Sequence, residues 1–394
     1  MRKKILRIAF SVVCVFLAAV CLTGSALAVF ASEVEVEAEE YKMDINANAA
    51  ILIDAETGAV LYEKNADQAY PPASVTKVMT LLLIMEAIEA GNIGLSDMVS
   101  TSEKAASMGG SQIFLEPGEQ MSVEDLVKSV VIASANDAAV ALAEYVAGSE
   151  EAFVNMMNTR AAELGMKNTC FENTNGLDDT VTNHLTSARD IAIMSAMLIK
   201  YDTILKYSST WMDTIRNGAF GLTNTNRLVR FYDGATGLKT GSTDKAKFCI
   251  SASAKRGDLH LIAVVMGAPT RDIRNEETKK LLDYGFANYK MYRDTFESIE
   301  PLSVVGGTLD KCAVKYSDFA MVAEKGIAGK IERYIELPEF VAAPVKKGDV
   351  VGRVVYRYNG EDIGENPIYA DTDIAKISFL DVLERMLEIF LLRG

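Results

Sequence analysis

The spacing of apolar positions changes several times along this chain, and each change marks an element. Ala49 to Asp54 reads as a strand, Glu56-Thr57-Gly58 as a turn and Ala59 to Tyr62 as the return strand. Pro71-Pro72 then breaks the chain. From Ser74 to Ala90 the pattern is helical and strongly apolar, and Gly91 stops it. Further helices are predicted over 122–132, 136–147, 150–164 and 188–200. Residues 235–241 and 246–267 turn strand-like: Phe248 to Ala254 and Leu259 to Met266 flank a polar Lys255-Arg256-Gly257-Asp258 turn. Arg274 to Tyr289 is helical again. Two strands, a helical middle and a late hairpin with a closing helix predict an α+β domain over 42–292, whose sheet draws strands from both ends.

After about Met291 the pattern shortens. Residues 297–375 hold brief alternating stretches, such as Ile331 to Leu337 and Val350 to Tyr358, with turns at Gly306-Gly307 and Asn359-Gly360. This predicts a small all-β module. The segment 376–394 differs once more. Phe379, Leu380, Leu383, Met386, Leu387, Phe390 and Leu391 follow the i, i+3, i+4, i+7 rule, with Asp381, Glu384, Arg385 and Glu388 between them. It reads as an amphipathic helix, too interrupted by charge to span a bilayer.

At the other end, Arg2, Lys3, Lys4 and Arg7 precede an apolar run from Ile8 to Leu22, then small residues at Ala26-Leu27-Ala28 and Val29-Phe30-Ala31. That is the layout of a signal peptide, placed at 1–31. An uncleaved anchor is the plainer alternative, but the run is short of the ~20 residues a span needs. Lipidation at Cys21 fits less well, because Val20 is bulky. An acidic linker follows at 32–41. Removing 1–31 takes away four cations and no acid, which moves the formal charge from −14 to −18. So acidic a chain excludes nucleic acid as an expected partner, while leaving room for one local cationic pocket. Three cysteines would remain, Cys170, Cys249 and Cys312, with neither a disulfide framework nor metal-ligand spacing.

Three strings, in this order, carry the chemistry: Ser74-Val75-Thr76-Lys77, Ser134-Ala135-Asn136 and Lys239-Thr240-Gly241. Each is common alone, as a second Ser-x-x-Lys at Ser242-Thr243-Asp244-Lys245 illustrates; the ordered set is specific. Ser74 opens a helix, where backbone N–H groups are unpaired and the positive helix end favours developing negative charge. Lys77 lies one turn on, on the same face. Buried beside other cations it loses its proton readily and can act as a base on Ser74. The plainer reading makes Ser74 an N-cap. Ser134 can relay a proton to a leaving group, and Asn136 can hold a lysine and a substrate amide. Lys239 and Thr240 suit a carboxylate, Gly241 lets a ligand approach the backbone, and the N–H of Ser242 with that of Ser74 would make an oxyanion hole. The plainer reading there is a turn with a surface lysine. His184 and His260 are the only histidines. Neither lies near a glycine-flanked serine, so a Ser-His-Asp triad is unsupported. No metal-ligand cluster or phosphate loop is present, so no metal or cofactor is expected.

With these motifs in view the chain resembles the serine D-alanyl-D-alanine carboxypeptidases, the low-molecular-mass penicillin-binding proteins. The resemblance covers nearly the whole chain. It rests on Pro72-Ala73-Ser74-Val75-Thr76-Lys77-Val78-Met79-Thr80, Ser134-Ala135-Asn136-Asp137-Ala138 and Gly237-Leu238-Lys239-Thr240-Gly241. Asn175-Gly176-Leu177-Asp178, Ser187-Ala188-Arg189-Asp190 and the stretch from Met266 through Arg271 and Arg274 to Phe286 are also similar to family segments. The resemblance implies a penicillin-binding/β-lactamase-like catalytic domain, with helices on an antiparallel sheet, then a β-rich domain and a terminal anchor. It implies an exported protein on the outer face of the bacterial cytoplasmic membrane. Its substrate would be a peptidoglycan stem pentapeptide ending in D-Ala-D-Ala. Ser74 would attack, Lys77 would be the acylation base, and Lys239, Thr240 and Arg274 would hold the terminal carboxylate; β-lactams would acylate Ser74. Two features depart from the family. Ala246-Lys247 stands where Ala-Gly is usual, which questions local packing, and the terminal helix has an acidic polar face where family anchors lean basic. The rival readings are a β-lactamase and a non-hydrolytic envelope-binding protein. No Glu-x-x-Leu-Asn string follows the second motif, which argues against the first. No motif is lost, which argues against the second.

Overall fold

The computed structural model describes residues 43–179 and 181–392. The predicted signal peptide at 1–31 and linker at 32–41 lie outside the described residues. The first apolar run forms β1 (Ala49–Asp54), buried at all six positions. Its continuity has a simple cause: β1 is an inner strand of a five-stranded antiparallel sheet. The order is β2 (Val60–Lys64), β1, β5 (Leu259–Ala268), β4 (Lys247–Arg256), β3 (Ala235–Thr243). Strands from both ends of the predicted α+β domain therefore meet, as the order of elements predicted. The pairing of β1 with β5 runs from Ala49↔Met266 to Asp54↔Leu261.

The helices follow the apolar runs, and three of those in the helical middle are capped by a serine. α1 (Lys77–Glu89), α2 (Val123–Lys128), α3 (Asn136–Ala147), α4 (Glu150–Glu163) and α5 (Ala188–Leu198) build the helical middle. Ser122, Ser149 and Ser187 cap α2, α4 and α5, each side chain accepting from an N–H three residues on. α6 (Arg271–Asn288) packs on β4 and β5 and is capped by Thr270. Three predicted helices differ in detail. Residues Ala73–Thr76 form a 3₁₀ turn, and the α-helix starts only at Lys77. The helix predicted over 122–132 becomes a π turn over Ser129–Ala133 and stops at Ser134, which is left-handed at φ 65°. The apolar spacing hid this, because Val130, Val131 and Ile132 are buried in either geometry. The helix predicted from Arg274 to Tyr289 begins three residues early, at Arg271 behind its Thr270 cap, and ends at Asn288. Tyr289–Asp294 is a strand, β6. Two short hairpins, Met98–Ser100 with Gln120–Ser122 and Met212–Ile215 with Phe220–Thr223, are additional. At three or four residues each, their strands are too short to show a period.

β6 pairs antiparallel with β7 (Phe319–Glu324) at the start of the β-rich part. Beyond it β8 (Glu332–Glu336), β9 (Val350–Tyr358), β10 (Glu361–Ala370) and Val314–Lys315 make a four-stranded sheet. Asn359 and Gly360, at φ 51° and 84°, close the β9–β10 hairpin, the conformation a two-residue turn needs. Tyr356 centres this second core: it is buried, stacks on Phe319 at 4.2 Å and donates to Asp294 at 2.8 Å. α7 (Phe379–Leu392) follows, its first turn closed by reciprocal bonds between Ser378 and Asp381. The seven apolar positions of its stripe are all exposed. Arg385 turns the other way, to Asp310 and the Thr308 carbonyl. Among the described residues no helix is long and apolar enough to cross a membrane.

Candidate active site

The three motifs arrive on three different elements and converge. Ser74 sits in the 3₁₀ turn, Ser134 and Asn136 flank the junction between the π turn and α3, and Lys239 to Ser242 lie on the edge strand β3. Gly241 brings strand and turn together. A Cβ there would lie 2.8 Å from the Ser74 nitrogen and 2.9 Å from the Pro72 oxygen, so only glycine lets β3 run this close. Gly176, at φ 84°, does the same from another side: a Cβ would collide with the Ala73 carbonyl at 1.8 Å. Ser74 makes no capping bond, so the N-cap reading of it falls away.

Lys77 is buried and makes three contacts: Ser74 Oγ at 3.0 Å, Asn136 Oδ1 at 2.6 Å and the Asn175 carbonyl at 2.7 Å. The Asn136 amide is oriented by Nδ2, which donates to the Gly109 carbonyl at 2.7 Å. Two of the three partners of Lys77 are therefore pure acceptors. A neutral amine has two N–H groups and one lone pair. With the N–H groups given to Asn136 and Asn175, the lone pair meets the only partner able to supply a proton, the Ser74 hydroxyl. Burial holds the Lys77 pKa well below its ordinary value, and the charge of Lys239 pushes the same way against Asp137. Asp137 is itself held by backbone N–H groups of Ile113, Leu115 and Ala138.

Lys239 donates to Ser134 Oγ at 2.8 Å and to the Thr240 carbonyl at 2.9 Å. Burial, with Arg274 nearby, brings its pKa down to about 7. Thr240 Oγ1 bonds Thr225 at 2.8 Å. Ser74, Ser134, Thr240, Gly241, Ser242 and Arg274 all line one cleft of about 560 Å³. Arg274 is buried there, its guanidinium fixed by Asn275 Oδ1 at 2.9 and 3.1 Å. Burial lowers its pKa to about 10, with Arg271 adding to the shift. All nine predicted site residues are thus in or directly behind this cleft.

The chain has relatives among known proteins over most of its length. Residues 34–270 match the family model described as D-alanyl-D-alanine carboxypeptidase, and 296–376 match that of the penicillin-binding protein 5 C-terminal domain. The chain belongs to the D-alanyl-D-alanine carboxypeptidase family. It is 45% identical over 347 residues to D-alanyl-D-alanine carboxypeptidase DacF of Bacillus subtilis, covering 86% of this chain and 88% of that one. Penicillin-binding protein 5 from Haemophilus influenzae superposes with a TM-score of 0.78 at 35% identity, over 85% of this chain and 99% of that one. Penicillin-binding protein D2 from Listeria monocytogenes, in its ampicillin-bound form, matches 62% of this chain and 99% of its own, with a TM-score of 0.57 at 33% identity. The carboxypeptidase therefore has the catalytic domain of this family, of helices and antiparallel sheet, followed by its all-β domain.

Several groups in the site of this carboxypeptidase carried no role in the sequence. The Asn175 carbonyl is a backbone atom, and only the surrounding Asn-Gly-Leu-Asp string hinted at it. That loop is built by its own side chains: Asn173 Oδ1 accepts from the Gly176 N–H at 2.7 Å, and Thr80 donates to the Thr174 carbonyl at 2.6 Å. His184 bonds the segments around the site rather than Ser74. Its Nδ1 accepts from the Glu172 N–H at 3.0 Å, so Nε2 carries the proton and faces Thr76 Oγ1 at 2.7 Å. Burial keeps it neutral, with a pKa lowered to about 4. Thr225, Trp211, Arg227 and Arg271 also line the cleft. The unusual Ala246-Lys247 pair is accommodated: Ala246 is buried, while Lys247, the first residue of β4, is exposed at φ 55°.

Proposed function

We propose that this carboxypeptidase removes the terminal D-alanine from peptidoglycan stem pentapeptides through an acyl-enzyme on Ser74. The observation that carries the reading is the bonding of Lys77, whose single proton-bearing partner is Ser74 Oγ. Lys77 takes the serine proton as Oγ attacks the penultimate carbonyl. The backbone N–H groups of Ser74 and Ser242 receive the developing oxyanion. Ser134, bonded to Lys239, passes a proton to the departing amine. Asn136 positions Lys77 and the substrate amide. Thr240, Lys239 and Arg274 hold the terminal carboxylate, and water then releases the acyl group. A β-lactam acylates the same serine and stays.

The test is mass spectrometry of a pentapeptide incubation, in which one alanine should be lost. Amidating the last D-Ala should lower kcat/KM by on the order of 10²-fold, the size expected when one side of a buried charge-assisted contact is removed. Arg274→Ala should impose a similar penalty on the acid and little more on the amide, since one contact cannot be lost twice. Equal penalties on both substrates would show that Arg274 does not read the carboxylate.

The same reading covers the rest of the chain. Residues 1–31 act as a cleaved signal peptide and 32–41 as a spacer. The catalytic domain occupies 42–292 and the β domain 297–375, and 376–394 rests on the outer face of the cytoplasmic membrane. Support for the last point is the exposed stripe from Phe379 to Leu391. The mature chain should pellet with liposomes, and a chain ending at Lys376 should stay in the supernatant while still releasing D-alanine. Because Arg385 and Asp381 are already engaged and the exposed charges of α7 are Glu384 and Glu388, anionic lipid should not strengthen the association. Equal pelleting of both chains would remove α7 as an anchor.

A further inference from the structure

The cleft carries more positive charge than the proposed reaction uses. Arg227, Arg271 and Arg274 line it, and no acidic residue does, on a chain whose formal charge is −14. Arg274 is buried, whereas Arg227 and Arg271 are exposed. Among the described residues the side chains of those two make no hydrogen bond or ion pair. Arg230, three residues beyond Arg227, differs: it is spent on the rings of Trp211 and Phe231, 5.4 Å from each centre. Arg271 lies one turn before Arg274 on α6, so both project from the same side of that helix. Arg227 and Arg271 each weaken the hold of Arg274 on its proton, which sets both within electrostatic reach of it. Asp272 partly offsets them, but it bonds neither. The indole N–H of Trp211, in the wall of the same cleft, is buried without a partner. Like charges that line one cleft repel one another, and bound negative groups offset that repulsion.

We propose that Arg227 and Arg271 form a second anion subsite beside the terminal-carboxylate site, and that it takes a second carboxylate borne by the leaving residue. The inference rests on the carboxypeptidase reading above, which puts Arg274 on the leaving side. A dicarboxylic D-residue at the substrate's end presents its α-carboxylate to Thr240 and Arg274. Its side-chain carboxylate then extends toward Arg227 and Arg271. The chemistry is unchanged: Ser74 Oγ bonds the acyl carbon as the peptide C–N bond breaks, and the proton taken from the serine is balanced by one delivered to the leaving amine. Only the choice of leaving residue is altered.

The test compares three acyl-peptides that differ in the last residue: D-Ala-D-Ala, D-Ala-D-Glu and D-Ala-D-Gln. D-Gln is the neutral isostere of D-Glu, so their kcat/KM ratio isolates the charge. At low salt the ratio should favour D-Glu about tenfold, as a charge-assisted contact outside the deep interior does. Salt at about 0.5 M should pull the ratio toward one, because these arginines are exposed. In the double variant R227Q/R271Q the ratio should fall to about one, read within that variant so that its overall rate does not matter. If the variant does not fold, the salt dependence of the unaltered enzyme still decides. Cleavage of D-Ala-D-Ala with a D-Glu to D-Gln ratio of one or less would overturn the subsite and leave the carboxypeptidase reading intact. So would a preference for D-Glu that survives the double substitution. Failure to release D-alanine from D-Ala-D-Ala would overturn both.

Discussion

Ser74→Ala should abolish penicillin labelling and D-alanine release, with a loss in kcat on the order of 10⁶-fold, the scale of losing a serine nucleophile. The protein should remain folded. Ser74 is half-buried, and its side chain contributes one contact, to Lys77 at 3.0 Å. The second Ser-x-x-Lys provides the internal control. Ser242 is exposed on the edge strand, and Lys245 is turned to the Asp178 carbonyl at 2.7 Å, so no base stands beside that serine. Ser242→Ala keeps the backbone N–H that the oxyanion needs and should retain much of both activities. Covalent labelling of the Ser74→Ala protein at any other serine would sink the assignment.

What the chain discloses before folding depends on whether a feature is written in side chains or in geometry. β1, β4 and β5 were legible because inner strands leave continuous apolar runs, and α3 because its bounds fall at Asn136 and before Gly148. The motif residues were legible because their chemistry is rare as an ordered set. The π turn was not: it widens the helix by one residue per turn and leaves the burial of Val130 to Ile132 unchanged. The third partner of Lys77 was not, because a carbonyl has no residue type. The hairpin over 212–223 was not, since its strands are four residues each, yet it ends on the cleft residue Thr223 and leads into Asn224 and Thr225. The early start of α6 was readable in principle. Thr270 accepts from the Ile273 N–H, an ordinary capping pattern, and counting from it puts Arg274 inside the helix, one turn past the cap.

Lys77→Arg should lose acylation by about 10²–10⁴-fold, the contribution of a positioned general base. The argument is about protons. Arginine keeps a positive charge but cannot give it up near neutral pH. In the native site burial and the charge of Lys239 favour the neutral amine. Two lysines with opposed duties follow. Lys77 works only when deprotonated, so kcat/KM should rise as pH climbs through its lowered pKa. Lys239 must be charged to meet a carboxylate and to feed Ser134, so kcat/KM should fall as pH passes its own value of about 7. The profile is a bell whose two limbs belong to the pair, since each charge bears on the other. Lys77→Arg should lower the whole profile, while Lys239→Arg, which cannot deprotonate, should remove the alkaline limb from whatever activity remains. Thermal unfolding must show that the Lys77→Arg protein still folds, because the longer fork has to share a pocket sized for three short contacts at 2.6 to 3.0 Å. Near-normal acylation in a folded Lys77→Arg protein would place the base elsewhere, and Ser134 with Lys239 would then be the pair to test.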